Sequence, residues 1–213
     1  FLIAGAHGVH RLDHAGGLSL LAGEAQLGKG SNWSVLRGRG GVVWTGRAGS
    51  IGLYRPADGH FTRVDLGVGD DPQRRADLMR LAPDGSVWLS IINHGLQHRA
   101  ADGHLLADYP AGVAPGLPEK LVEQLRVDAS GRLWIAGGAG VLRFENGRFV
   151  LVPGIAEGMV YDFAFATDGS LWVGREGLLE FYQPQGNGFV LQRSLGAAEG
   201  MPAVSMGGLV LGC

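Results

Sequence analysis

The segment Gly131-Arg132-Leu133-Trp134-Ile135-Ala136 combines a turn glycine with a short apolar strand centred on tryptophan. The same phrase recurs along the chain at intervals of about 40 residues. Its central position, called the tryptophan slot below, is occupied in turn by Leu2, Trp44, Trp88, Trp134, Trp172 and Val210. A repeat of this length is typical of β-propeller blades and of solenoids.

Each full repeat divides into four short strands. In one of them the strands are predicted at Leu78–Ala82, Val87–Ser90, Gly95–Arg99 and Leu105–Tyr109. Asp-Gly and Asn-Gly pairs separate the third and fourth strands, and these pairs favour the tight turns of β-hairpins. No segment has convincing helical periodicity, although 118–125 could hold a single helical turn. The sequence therefore predicts an all-β fold, a β-propeller of four-stranded blades.

The number of blades follows from counting these repeats. Four are complete, one lacks its first strand, and one contains only its first two strands. We expect residues 1–213 to form a single β-propeller domain or a fragment of one, with about five blades visible. The partial repeats favour a larger ring of six to eight blades, whose remainder is outside this sequence or belongs to another chain.

Composition limits the classes of partner. The 213 residues are 46% hydrophobic and 18% charged and include 38 glycines, which suits a packed, turn-rich domain. A net charge of −2 gives no reason to expect nucleic acid as a partner. The single cysteine, Cys213, excludes an intrachain disulfide and a cysteine-built zinc site. No apolar run could span a bilayer, so any membrane attachment would use segments absent here.

The tryptophans have two interpretations. A large apolar ring in every repeat favours packing between blades, so Trp44, Trp88, Trp134 and Trp172 are predicted to form the blade core. The alternative is a platform on which a sugar ring stacks. Trp33 lies outside the slot, just before the first strand of its repeat, and we expect it to be exposed in a loop or at a channel mouth.

The repeat resembles that of the two-component-regulator propeller family. The resemblance is carried by Leu125–Gly137, which continues as Gly140–Phe144, by Phe163–Gly174, and by the inter-blade segment Gly116-Leu117-Pro118. It implies a periplasmic sensor domain followed by a transmembrane helix and a cytoplasmic histidine kinase or diguanylate cyclase. It also implies a carbohydrate or other small molecule as ligand, and a second propeller or a homodimer as possible assemblies.

Motifs for catalysis are weak. Gly23–Lys29 matches the start of a phosphate-binding loop, but Gly30 stands where Ser or Thr should hold magnesium. His94 and His98 are four residues apart, and we place them in a loop and a strand as solvent-facing side chains, with a metal pair as the alternative. We therefore predict a non-catalytic domain with no cofactor and no metal site.

A ligand would bind where the loops between second and third strands meet the inter-blade connections. The polar residues predicted to face it are His7, Arg47, Arg74, Arg75, Asn93, His94, Arg175 and Glu176. Two other functions stay open. Gly49–Tyr54 also resembles propeller lyases that open cyclic esters with a divalent metal, and an apolar face would instead indicate a protein-interaction scaffold.

Overall fold

The computed structural model describes residues 1–69, 71, 73–119, 122–205 and 207–209. The chain forms two compact units. The first comprises Phe1–Ala111 with Ala129–Gly131, and the second comprises the described residues of Gly112–Asp128 and Arg132–Cys213.

The first unit contains three antiparallel sheets in which consecutive strands are neighbours. The first sheet has three strands: β1 (Leu2–Gly5), β2 (Gly8–Leu12) and β3 (Leu18–Gly23). The second has four strands: β4 (Ser34–Arg37), β5 (Val43–Arg47), β6 (Ser50–Arg55) and β7 (His60–Asp65). The third also has four: β8 (Ala76–Leu81), β9 (Val87–Ile91), β10 (Gly95–Arg99) and β11 (Leu105–Pro110).

The second unit contains two four-stranded antiparallel sheets with the same sequential order. The fourth sheet of the chain consists of β12 (Val122–Val127), β13 (Leu133–Gly137), β14 (Gly140–Glu145) and β15 (Arg148–Leu151). The fifth consists of β16 (Asp162–Phe165), β17 (Leu171–Arg175), β18 (Leu178–Gln185) and β19 (Gly188–Leu195). These sheets confirm the predicted all-β class and the four-stranded repeat.

In the fourth sheet an aspartate six residues before the slot tryptophan binds both the turn and the ring. The Asp128 carboxylate accepts hydrogen bonds from the backbone N–H of Arg132 at 3.0 Å and from the indole N–H of Trp134 at 2.9 Å. One side chain therefore closes the turn and orients the ring that follows it. In the third sheet Asp84 closes the corresponding turn differently, by accepting from the backbone N–H and the hydroxyl of Ser86.

Apolar clusters form between neighbouring sheets within each unit. In the first unit Trp44, which is 1% exposed, packs in a cluster with Met79, Val87 and Leu89. In the second unit Trp134 lies in a cluster with Phe163. Burial of such large rings removes apolar area from water, which is the main source of stability in sheet packing.

The tryptophan-slot residues are not all equally buried. Trp88 and Trp134 are buried like Trp44, whereas Trp172 is only half-buried and its ring lies 4.8 Å from that of Phe181. Val210 lies outside the described residues, so the sixth slot has no structural account.

Two connections in the second unit are fastened in the same way. Pro115 and Pro153 each accept a hydrogen bond, at 2.9 Å, from the backbone N–H of a phenylalanine in a fourth strand, Phe149 and Phe189. Gly154, which follows Pro153, has a φ of +83°, and a Cβ there would overlap the Phe189 carbonyl. Glycine is required at this position for conformation and for space.

Some local predictions differ from the structure. A single α-helical turn, α1 (Glu24–Leu27), occupies the inter-sheet segment where we predicted no helix, because Gln26 accepts a hydrogen bond from the backbone N–H of Gly23 and closes the turn. The turn considered for 118–125 is absent from its described residues, of which 122–125 belong to β12. The strand expected at 207–212 is not formed by its described part, 207–209.

Candidate functional site

The connection between the second and third sheets is fastened to the hairpins beside it. The backbone N–H of Gly49 donates to the Arg74 carbonyl at 2.9 Å, and the backbone N–H of Leu66 donates to the Gly49 carbonyl at 2.9 Å. On the other side, the backbone N–H of Ile92 donates to the Arg75 carbonyl at 3.1 Å. These bonds hold the loops of the first unit rigidly in place. The polar and aromatic residues on and beside these loops are called the loop edge below: Trp33, Gln73, Arg75, Asp77, Asn93, His94 and Asp108.

An exposed indole stands on this edge. Trp33 is 53% exposed, and the Arg75 guanidinium carbon lies 4.3 Å from the centre of its ring. The backbone N–H of Trp33 donates to the Gly46 carbonyl at 2.8 Å, which fixes the main chain from which the indole extends. Arg75 in turn has its Nε 3.5 Å from the Asp77 carboxylate. An aromatic face held by a cation and flanked by a carboxylate can stack a ring and bind its polar substituents.

Amide and imidazole groups extend the loop edge. The Asn93 side chain donates to Gln73 at 3.2 Å, and Asn93 has a positive φ of 55° in the hairpin between β9 and β10. The imidazole Nε2 of His94 lies 2.8 Å from the Asp108 carboxylate, which orients that ring. Arg75, Asn93 and His94 are thus gathered around one hairpin and one connection.

Two of the arginines predicted to face a ligand, Arg47 and Arg175, donate hydrogen bonds within the chain. Arg47, 6% exposed, donates to the Asn32 side chain at 3.0 Å and to the Lys29 carbonyl at 2.5 Å. Burial, with a smaller effect from the positive charge of Arg63, lowers the pKa of Arg47. Arg175 donates to Glu180 at 2.8 Å and to two backbone carbonyls. Both guanidinium groups therefore fasten the connection that precedes their own sheet.

The other predicted residues are dispersed. Arg74 donates to the Val68 carbonyl at 2.7 Å within its own connection. His7, with a side chain 87% exposed, pairs with Glu24 at 3.3 Å on the first hairpin. Glu176 forms an isolated bridge with Ser205 in the second unit. As ligand contacts these residues stay predictions.

Three polar residues of the loop edge were absent from the sequence-based set: Gln73, Asp77 and Asp108. Only Asp77 carried a usable signal, because it lies two residues after the predicted Arg75 on the first strand of its sheet. Gln73 and Asp108 are partners of Asn93 and His94 through contacts that sequence spacing does not indicate.

His98 is not the solvent-facing side chain that we expected. Its ring stacks on Trp88 with centroids 4.1 Å apart and planes 3° apart, since the two residues are directly opposite in β9 and β10. Its Nε2 lies 2.7 Å from the hydroxyl of Ser86, which donates to Asp84. His98 packs on Trp88 and His94 pairs with Asp108, so the two imidazoles have different partners. The His98 ring contributes to the packing of the third sheet.

This packing predicts a pH dependence of stability. Burial lowers the pKa of His98 below its usual 6.5, against a smaller opposing effect of the Asp84 charge. The folded state therefore binds a proton less readily than the unfolded state, and stability falls as the pH drops from about 6.5 through the lower folded pKa. Replacement by phenylalanine, the residue opposite Trp172, should reduce the loss of unfolding free energy between pH 7.5 and 5.5, measured by urea denaturation.

The control for this measurement is His104→Phe, because the His104 side chain is 62% exposed. It should keep the pH dependence of the unmodified chain. Equal losses for all three proteins would contradict the assignment to His98.

Within the described ranges, no group of three His, Cys, Asp or Glu side chains is arranged to hold a metal ion. Nor does any helix in that part of the chain have the length and apolar content to cross a membrane.

Comparisons with known proteins identify the fold. No known family and no curated sequence matches the chain. Among solved structures, it is similar to the extracellular domain of BT4673 from B. thetaiotaomicron, described as a hybrid two-component system, with 16% identity, a TM-score of 0.64, and coverage of 92% of this chain and 29% of that one. It is also similar to virginiamycin B lyase from Staphylococcus aureus, with 16% identity, a TM-score of 0.63, and coverage of 88% and 63%.

A third similar structure is PorZ, a surface component of the type-IX secretion system of Porphyromonas gingivalis, with 13% identity, a TM-score of 0.63, and coverage of 91% and 32%. The chain spans less than two thirds of the length of each of these proteins. At such low identity the likeness shows the fold alone, that of β-propeller blades.

Proposed function

We propose that this chain is a non-catalytic, extracytoplasmic ligand-sensing propeller domain of a membrane-bound signalling protein. The observation that carries the proposal is the exposed Trp33 indole, held by Arg75 on the loop edge. Tryptophan is enriched at binding interfaces because its ring offers a large apolar surface and its indole N–H can donate a hydrogen bond. The similarity in fold to an extracellular domain described as part of a two-component system also supports a sensing role.

The chemistry of the loop edge favours a sugar or a small carboxylate. A pyranose presents an apolar face that stacks on an indole, while its hydroxyls accept from Arg75 and donate to Asp77. A guanidinium also binds a carboxylate through two parallel hydrogen bonds, so an acidic sugar satisfies both groups. Asn93 and Gln73 add amide groups that both donate and accept.

Replacing Trp33 with alanine should weaken ligand binding about tenfold, because stacking on the indole is lost. Stability should change by less than about 1 kcal/mol, since the side chain is largely in water. The test is a panel of neutral and acidic mono- and oligosaccharides, screened by ligand-observed NMR and followed by calorimetry on the hits.

Leu18→Ala is the matched control, because Leu18 is an exposed apolar side chain of the same unit, 62% exposed, away from the loop edge. It should bind as the unmodified chain does. Hits that bind the Trp33 variant with unchanged affinity would refute this site. Ring opening of a lactone by the chain with a divalent metal would instead favour the lyase alternative.

A further inference from the structure

The second and fifth sheets have an arginine at the same position. Arg47 and Arg175 each lie three residues after the slot tryptophan, and each is the last residue of its strand, β5 or β17. In both, a terminal guanidinium nitrogen donates to main-chain carbonyls of the connection that precedes the sheet, namely Gly28 and Lys29 in one case and Ala156 and Met159 in the other. The two sheets differ in the partner of the remaining nitrogen, Nε.

In the fifth sheet this nitrogen binds a carboxylate of the chain. The Nε of Arg175 donates to Glu180 at 2.8 Å, and the hydroxyl of Tyr182 donates to the same carboxylate oxygen at 2.9 Å. Glu180 is 6% exposed. The charge of this guanidinium is therefore balanced inside the sheet, which is the usual requirement for a buried charge.

In the second sheet the counterpart of Glu180 is a glycine. Glu180 lies opposite Val173 in the ladder of its sheet, and Gly52 lies opposite Thr45 at the same position of the second sheet. Arg47 is 6% exposed, yet among the described residues no carboxylate lies within ion-pair distance of it. Its Nε has no acceptor in that part of the chain either.

A second cation is held beside Arg47. Ser50 lies directly opposite Arg47 in the ladder between β5 and β6, and its hydroxyl accepts from the Nε of Arg63 at 3.0 Å. Arg63 is exposed, and its terminal nitrogens have no acceptor among the residues that the structure describes. Burial, and then the charge of Arg63, lower the pKa of Arg47. Two neighbouring guanidinium groups without an acid repel each other, and a bound anion relieves that repulsion.

A third buried arginine shows which feature sets this pair apart. Arg99, which is 3% exposed, also has no carboxylate within ion-pair distance among the described residues. Each of its three nitrogens nevertheless donates to an acceptor of the chain, namely Gln97, Gly103 and Asp65. Arg47 differs because one nitrogen lacks an acceptor and because a second cation lies beside it.

We propose that Arg47 and Arg63 bind an external oxyanion, a carboxylate or a phosphate group, in the role that Glu180 has beside Arg175. Such a group offers at least two oxygen acceptors, which suits the Nε of one guanidinium and the terminal nitrogens of the other. Arg47 is fixed by its carbonyl bonds and Arg63 by Ser50, so the donors are positioned before the ligand arrives. The site uses no residue of the loop edge and is independent of the Trp33 site.

Binding is tested by following the arginine Nε–H signals of the full chain by NMR during titration. The titrants are phosphate and succinate, each compared with sodium chloride at equal ionic strength. We expect saturable shifts of the Arg47 and Arg63 signals with at least one of the two oxyanions, and no saturable shift with chloride. Saturation by phosphate alone or by succinate alone assigns the class of the ligand. Saturation by neither, or equal shifts with chloride, overturns the proposal.

The contribution of the second cation is tested by Arg63→Gln, which should weaken binding about tenfold because one of the two charges is lost. The matched control is Arg193→Gln, since Arg193 is an exposed arginine on the fourth strand of the fifth sheet. The control should bind as the unmodified chain does, and both variants should fold because the side chains are exposed. Equal affinities of the two variants contradict the assignment to Arg63.

The fifth sheet also suggests a variant that supplies its own carboxylate. An ideal Cβ at Gly52 would lie 2.5 Å from the Thr45 hydroxyl and 2.6 Å from the Phe61 ring, so glutamate needs space there. The residues at these two positions of the fifth sheet are Val173 and Leu191. A Thr45→Val, Gly52→Glu, Phe61→Leu chain should therefore lose the response to both oxyanions. An unchanged affinity would show that they bind elsewhere; if this chain does not fold, the comparison of Arg63→Gln with its control decides.

Discussion

Asp162→Ala should lower the free energy of unfolding by about 3 kcal/mol, because it leaves a guanidinium and backbone donors without their acceptor. Asp162 is 1% exposed, and one carboxylate oxygen accepts from Gln124 at 2.8 Å and from Arg126 at 3.1 Å. The backbone N–H groups of Phe163 and Leu209 also donate to this carboxylate, each at 2.7 Å. Urea denaturation followed by far-UV circular dichroism measures the change.

Glu157→Ala is the control, since Glu157 is an exposed acid of the same unit. Its effect should remain within about 0.5 kcal/mol. Asp162→Asn should fall between the two, because an amide still accepts from some of these donors but carries no charge for Arg126. An Asp162→Ala chain as stable as the control would show that this network contributes nothing to folding.

Trp44→Ala should cost about 3–5 kcal/mol, the usual range for removing a fully buried aromatic ring. Trp44 is 1% exposed and contacts the apolar cluster between the second and third sheets. The lost contacts cannot be replaced by local collapse, because the surrounding side chains are anchored on hydrogen-bonded strands. The same denaturation measurement gives the value.

The same substitution at two other tryptophans gives the comparison for the loss of unfolding free energy. Trp172→Ala should be milder, since that ring is half-buried, and Trp33→Ala should have the smallest effect of the three. Trp44→Ala and Trp33→Ala chains that unfold at the same urea concentration would contradict the assignment of Trp44 to the blade core.

Much of the loop edge could be anticipated from the repeat. The position of Trp33 outside the tryptophan slot indicated an exposed ring, and the structure leaves it 53% exposed. Arg75, Asn93 and His94 were placed in the correct loops by counting strands. The stacking of His98 on Trp88 was missed, because it depends on the register between β9 and β10, which turn residues define only approximately.

The sheets of this chain follow from its sequence alone, because turn chemistry and the alternation of apolar residues act between neighbours along the chain. Which group each polar side chain binds was decided only by the tertiary structure. Arg47 and Arg75 both lie at hairpins or connections, yet one binds carbonyls of its own chain and the other covers an exposed indole. A guanidinium donates equally well to either kind of partner, so its role depends on which groups the folded chain brings within hydrogen-bond distance.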